Sequence, residues 1–303
     1  MGWVMASRFD WDDLQSFLAV ARSGRLTLAA KRMGVDHTTL GRRLTGLEQA
    51  LGTTLFERHA TGYSLTQAGE TLLQSAEAME GMALTIQEEL SGAGAKLSGA
   101  VRIGTPDGFG SFFLAPRIGR LGSLHPDLEV QLVAMPRLFS LSKREADIAV
   151  TLAHPEAGRL HARKLTDYEL GLYAARSYLE TASPIQGTGD LSRHRFISYI
   201  DDLLYTPELD YVPLVSRDIR PYLKSASLVA QFRAVQSGSG IAVLPCFMAA
   251  GETDLVRLLP EEVKLTRSFW LVIHSDVRHL SRIRVTAEFI ADEVRRNTKL
   301  FQG

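Results

Sequence analysis

Apolar residues recur at helical spacing at the start of the chain. After Asp10-Trp-Asp-Asp13, Leu14, Phe17, Leu18 and Ala21 fall on one face. Asp10 is placed to cap this helix, acidic residues occupy its first turn, and Ser23-Gly24 ends it. A second short helix is predicted over Thr27 to Met33, with Leu28, Ala29 and Ala30 turned inward. Gly34-Val35-Asp36 then makes a tight turn, and Asp36 can cap a third helix that runs to about Leu51 and closes at Gly52. Short helices joined by a glycine-containing turn follow the helix-turn-helix plan. Around the third helix, at about 100° per residue, Leu40, Leu44, Leu47 and Leu51 form one narrow stripe that must pack inward. The opposite face carries Thr38, Gly41, Arg42, Thr45 and Gln49. It is small, polar and basic, the properties that major-groove entry requires; a helix face meant only for water more often carries Glu and Lys.

Leu55-Phe-Glu-Arg58 and Tyr63-Ser-Leu65-Thr66 are two extended pieces around Gly62, which predicts a two-stranded wing with Arg58 and His59 placed to touch DNA backbone or minor groove. A long helix is predicted from Gln67 to Leu90, after a cap at Thr66. On it Leu72, Ala76, Met79, Ala83, Ile86 and Leu90 are separated by 4, 3, 4, 3 and 4 residues. That is a heptad seam, read as a contact between two copies of the chain, with packing inside its own domain as the alternative for part of its length. Ser91-Gly-Ala-Gly-Ala95 with Ser98-Gly99 is a small-residue hinge at a domain boundary.

Beyond the hinge the period changes. Strands are expected at Ala100–Thr105, Leu128–Val133 and Asp147–Leu152, with a loop at Pro106–Gly110 and helices at Ser111–Leu121 and Leu138–Arg144. A second subdomain begins near Leu165 with Glu169–Ala174, Phe196–Tyr199, a helix at Ser227–Gln236 and Ile241–Leu244. Phe269–His274 crosses back, and a helix over Ser281–Arg296 closes the fold. Such alternation predicts a mainly parallel α/β sheet.

Composition narrows the function. The net charge is +0, yet between Arg22 and Arg43 six basic side chains face Asp36 alone, a local basic surface that suits phosphates. Single Cys246 excludes an internal disulfide and a cysteine-rich zinc site, and it reads as a small buried side chain. No apolar run is long enough for a membrane span, and Met1 to Asp10 has no signal-peptide core, so a cytoplasmic location is expected. The eight histidines are scattered without metal-ligand spacing. Gly238-Ser-Gly240 lies between a helix and a strand, the reverse of a dinucleotide turn, and no nucleophile elbow or phosphate loop appears. Neither a catalytic residue, a metal nor a cofactor is expected. A bifunctional enzyme that represses its own operon would need a catalytic constellation within residues 100 to 303. An architectural DNA-bending protein would not need the long α/β region.

Phe17-Leu-Ala-Val-Ala21, Ser23-Gly24, Leu28-Ala-Ala30, Leu44, Leu47-Glu48, Leu51-Gly52, Leu55-Phe-Glu-Arg58, Leu65-Thr66 and Ala68-Gly69 together resemble the LysR-type transcriptional regulators. The resemblance implies an α+β multidomain chain. It has a winged helix-turn-helix DNA-binding domain (1–66), a dimerisation linker helix and hinge (67–99), and a two-lobed α/β effector-binding domain (100–303) like the type II periplasmic binding proteins. Lobe I would span about 100–163 and 268–303, and lobe II about 164–267. It also implies DNA contacts at His37, Thr38, Gly41 and Arg42, with Arg58 in the wing. To these the helical and wing geometry adds Thr45 and His59. The usual glutamine-proline opening of the recognition helix is His37-Thr38 here, and the usual serine before the arginine is Gly41, so the family's operator preference does not transfer. The implied partners are a double-stranded operator, a small-molecule effector, a second copy in a homodimer or homotetramer, and RNA polymerase, with no membrane. Effector residues are expected in the cleft between lobes, near strand ends and helix N-termini: Thr105, Pro106, Asp107, Gly108, Phe109, Arg137, Tyr199, Asp201, Ser225 and Ser227. Asp107 and Asp201 suit a ligand with hydroxyl or amine groups, whereas Arg137 suits a carboxylate.

Overall fold

The computed structural model describes residues 9–60, 62–90, 97–141, 145–155 and 158–303. They form two compact units, one ending with the long helix and one beginning after the hinge. The hinge residues Ser91–Ala95 lie outside the described residues, as do the closing residues of the helix expected at Leu138–Arg144.

In the first unit α1 (Trp11–Ser23), α2 (Leu26–Met33) and α3 (His37–Leu51) each stop at a glycine. Leu14, Phe17, Leu18, Ala29, Ala30, Leu40, Leu44 and Leu47 share one core. Leu28 departs from its expected inward position and is exposed; Leu26, one residue before the expected helix start, packs on the core in its place. Strands β1 (Phe56–His59) and β2 (Gly62–Leu65) pair antiparallel as a wing. The wing is pinned at both ends. The Tyr63 amide donates to the Gly24 carbonyl at 2.8 Å, and a side chain at Gly62 (φ 144°) would overlap that same oxygen. At its start, Glu48 Oε1 accepts from the amides of Leu55 and Phe56 at 2.8 and 3.3 Å. Helix α4 (Gln67–Leu90) begins under a cap from Thr66 Oγ1 to the Gly69 amide. It passes so close to the Leu55 carbonyl that a Cβ at position 69 would overlap it. Arg22 ties α1 to α4 through a bidentate pair with Glu80 at 2.6 and 3.0 Å.

The second unit is built on one sheet. Strands β3 (Gly99–Thr105), β4 (Leu128–Ala134) and β5 (Ile148–Thr151) run parallel, β3 in the middle. Between β3 and β4 the chain is helical from Asp107 onward, ending in α5 (Ala115–Leu124). The loop expected at Pro106–Gly110 is therefore mostly the first turn of that helix. The sixteen-residue β6 (Leu160–Ala175) leads into the short α6 (Arg176–Leu179). The other lobe adds β7 (Phe196–Ser198), α7 (Val212–Val215), β8 (Leu223–Lys224), α8 (Leu228–Gln236), β9 (Ile241–Pro245), α9 (Cys246–Ala249) and β10 (Leu255–Leu258). β11 (Leu265–His274), α10 (Ser281–Arg296) and α11 (Thr298–Phe301) complete the chain. Strand order is β4-β3-β5-β11-β6-β9-β7-β8, with β10 also on β6.

Both lobes thus share a continuous sheet. It is mixed rather than mainly parallel, because β11 pairs antiparallel with residues Leu160–Leu170 of β6, and the two strands cross from one lobe to the other. The sequence reveals only the apolar ends of these two strands; their polar halves, such as His161–Lys164, carry no readable alternation. Leu138–Leu141 is not helical. Phe139 is drawn onto β3, where its ring covers Gly104, and Glu145 accepts from the Ser140 amide at 2.9 Å, which uses the local backbone for a turn.

Candidate functional site

The first unit presents its outward face on α3. Leu40, Leu44 and Leu47 are buried, and His37, Thr38, Arg42, Thr45 and Gln49 are exposed. Asp36 caps the helix, accepting from the Thr38 amide at 2.8 Å and the Thr38 hydroxyl at 2.5 Å, and these bonds hold its carboxyl below the ordinary range. Thr38 keeps its oxygen lone pairs and Thr45 donates to the Gly41 carbonyl, so neither hydroxyl proton is free in this state. Arg42 has no ion-pair partner among the described residues, whereas neighbouring Arg43 reaches Asp12 at 3.4 Å. Arg25, just before α2, and Lys31 and Arg32, in its last turn, are exposed too. On the wing, Arg58 and His59 are both exposed; the guanidinium lies over the Tyr63 ring and His59 Nε2 is 2.7 Å from Ser64 Oγ.

Gly41 is not demanded by the fold. A Cβ there would meet only Leu26 Cδ2, at 3.7 Å, an ordinary contact. Gly41→Ala is expected to stabilise the domain by about 0.5–1 kcal/mol, because glycine is poor in helix interiors, and to weaken DNA binding by crowding the groove. Chemical denaturation and fluorescence anisotropy on one variant measure both; unchanged DNA affinity would show that nothing approaches this position.

Not all of the heptad seam is available to a partner. Ala76 is fully buried in its own unit and Leu72 packs against the same core. Met79, Met82, Ala83, Ile86 and Leu90 are exposed. The free apolar stripe therefore begins at Met79 and includes Met82, which the heptad spacing omits.

In the second unit a small cavity of ≈ 10 Å³ lies where the lobes meet, enough for about one water. Of the residues expected there, Pro106, Asp107, Gly108, Phe109 and Tyr199 line it. Thr105 is fully buried next to them, its hydroxyl directed at Gly110. Ser227 caps α8, accepting from the Ala230 amide, and donates to Asp107 Oδ2 at 2.9 Å. Three of the expected residues do not line this cavity. Arg137 is not in the wall: it pairs with Glu145 at 2.9 Å and lies over the Phe139 ring. Asp201 is largely exposed and holds Lys224 at 2.6 Å. Ser225 Oγ accepts from the Ser227 amide and its carbonyl accepts from Gln231 Nε2, both bonds bracing the start of α8. Tyr168, Tyr205, Tyr211, Phe247 and Phe269, which no sequence motif singles out, add aromatic rings to the wall. Two of these, Tyr205 and Tyr211, sit in an irregular stretch without period. Burial raises the phenol pKa values of Tyr168, Tyr199 and Tyr205, and that of Tyr211 to about 12, so all four rings are neutral at physiological pH.

Residues 11–70 match the family model described as "Bacterial regulatory helix-turn-helix protein, lysR family", and residues 94–295 match "LysR substrate binding domain". The chain belongs to the LysR family of transcription regulators. It is similar to the Mau operon transcriptional activator of Paracoccus denitrificans, 29% identical over 283 residues that cover 93% of this chain and 96% of the relative. It is also similar to the HTH-type transcriptional regulator PtxR of Pseudomonas aeruginosa, 31% identical over 257 residues, 82% of this chain and 81% of that one. Among solved structures, CrgA of Neisseria meningitidis, a LysR-type transcriptional regulator, superposes with a TM-score of 0.58 at 24% identity, covering 95% of this chain and 99% of CrgA. Full-length LysG of Corynebacterium glutamicum, solved with bound effector Arg, gives 0.65 at 19% identity, with 95% and 98% covered. This LysR-type regulator thus carries a helix-turn-helix domain and an effector-binding domain. Among the described residues no helix is long and apolar enough to cross a membrane.

Proposed function

We propose that this LysR-type regulator reads an operator through α3 and the wing, with His37, Thr38, Gly41, Arg42 and Thr45 in the major groove and Arg58 and His59 on the backbone or minor groove. The observation that carries the reading is the split of α3: three leucines inside, and Arg42 outside without a partner among the described residues, beside a glycine that the fold does not require. A free guanidinium on a helix that can approach closely is suited to fork onto guanine. The second copy needed for two half-sites docks along α4 from Met79 onward. A small-molecule effector binds between the lobes of the second unit, at Pro106–Phe109, Tyr199 and the Ser227 cap, and alters the lobe angle and so the spacing of the DNA heads. It does so only if it binds one arrangement better than the other. Regulation without catalysis, a cytoplasmic site of action and contact with RNA polymerase belong to the same proposal.

Arg42→Ala is expected to reduce affinity for the specific operator by about 1–3 kcal/mol and to relax base preference at one position. Anisotropy titrations against operator and scrambled duplexes, at one salt concentration, measure both. Equal operator affinity in wild type and variant would remove Arg42 from base reading.

A further inference from the structure

Asp107 stands in the first turn of the helix after β3, and its carboxylate also reaches the start of α8 in the other lobe. Oδ1 accepts from the Gly108 amide at 3.0 Å; Oδ2 accepts from Ser227 Oγ at 2.9 Å and from the Val229 amide at 3.4 Å. Two helix N-termini, with their unsatisfied amides and positive dipole ends, meet on a carboxylate that is only 6% exposed. Such a junction is a natural seat for an anionic ligand, but here the chain supplies the anion. The room left beside it is walled by rings, among them Phe109, Tyr168, Tyr199, Tyr205, Tyr211 and Phe269. No lysine, arginine or histidine is among the described residues of that wall. The nearby Arg267 spends its guanidinium on the carbonyls of Glu208 and Thr266, at 3.2 and 3.0 Å. With Arg137 held by Glu145, the groups that would welcome an acid are used or absent.

We propose that Asp107 is a built-in occupant of the cleft's anion position and a specificity determinant, turning away acid effectors and leaving an aromatic box that takes a small organic cation. The inference rests on reading the cleft as the effector site. Neutral ring faces beside a fixed carboxylate attract an ammonium or quaternary ammonium group and compensate part of its desolvation. A carboxylate there would meet like charge and find the helix amides already bonded. The cavity holds about one water, so entry requires the wall to open. Tyr205, partly buried on an irregular segment while Tyr168, Tyr199 and Tyr211 are buried, is the ring whose displacement would open the wall most readily.

Calorimetry on the full-length protein tests this with n-butylammonium against n-butanoate, and tetramethylammonium against tert-butanol. Both cations should bind, and each control should bind at least about tenfold more weakly. Tyr205→Leu should weaken the cations about tenfold, while Tyr205→Phe, which keeps the ring, stays within about twofold. Asp107→Asn should weaken both cations. Asp107→Ala should acquire a thermal stabilisation by acetate, absent in wild type, because the vacated helix ends accept a free carboxylate. If that variant does not fold, Asp107→Asn decides, since undiminished cation affinity there overturns the role of the charge. Wild-type binding of butanoate that Tyr205→Leu abolishes would overturn the cation class and leave the cleft as the effector site. Cation binding indifferent to Tyr205→Leu would remove the cleft itself. No binding by either cation overturns the proposed class.

Discussion

Phe269→Ala is expected to destabilise the effector domain by about 3–5 kcal/mol, the usual cost of deleting a fully packed aromatic ring. The ring is 2% exposed at the middle of the crossing strand β11. It stacks on Tyr168 with centroids 4.1 Å apart, and it touches Phe109 at 4.7 Å, Phe247 at 6.0 Å and Phe301 at 6.2 Å. These partners come from the first helix of one lobe, the long strand β6, α9 of the other lobe and the C-terminal turn, so no single neighbour can fold into the hole. The position also borders a register shift in the β6–β11 ladder, between Phe269 and Trp270. Equilibrium urea unfolding followed through the effector domain measures the loss. Phe269→Leu should recover more than half of it by refilling most of the volume. A loss below about 1 kcal/mol in the alanine variant would mean that the cluster relaxes around the gap. Since Phe269 also walls the cleft, the variant should lose whatever small molecule the cleft takes.

The reach of the sequence follows from which interactions are local. Helix caps and leucine stripes depend on residues within one or two turns of each other. Asp36, Leu40, Leu44 and Leu47 could therefore be placed before any fold was known, and Arg42 with them, as the complement of the stripe. Leu28 shows the limit on the same domain: two positions along a helix turn a side chain to nearly the opposite face, and it is Leu26 that packs, partly buried, on the core. The cleft depends on long-range pairing. Asp107 meets Ser227 across 120 residues, and Tyr168 meets Phe269 across the β6–β11 ladder, so neither partnership leaves a periodic trace. Arg137 illustrates the opposite error. A basic residue after a strand end looks available to a ligand until the chain returns with Glu145 eight residues later and neutralises it.

The largest effect on function is expected from Met79→Glu. In the isolated chain Met79 is 48% exposed, Met82 68%, Ile86 51% and Leu90 82%, a run of large apolar side chains along the far half of α4 that water would not leave uncovered in a stable protein. The near half is anchored otherwise: Ala76 is inside the core and Arg22 grips Glu80. Glutamate is a good helix former, so the substitution should leave α4 and its unit folded. It would, however, place two like charges at a two-fold seam and desolvate both, a penalty that packing of the remaining side chains does not offset. Sedimentation should show a shift from dimer or tetramer toward monomer. Operator affinity should then fall by about 10²–10⁴, because the second head no longer binds at the effective concentration that a joined partner provides, whereas binding to a single half-site should be nearly unchanged. An intact oligomer carrying Glu at this position would place the partner contact elsewhere on the chain. Loss of half-site binding as well would show that α4 supports the reading head itself, through Arg22 and the Gly69 crossing, and does more than join two copies.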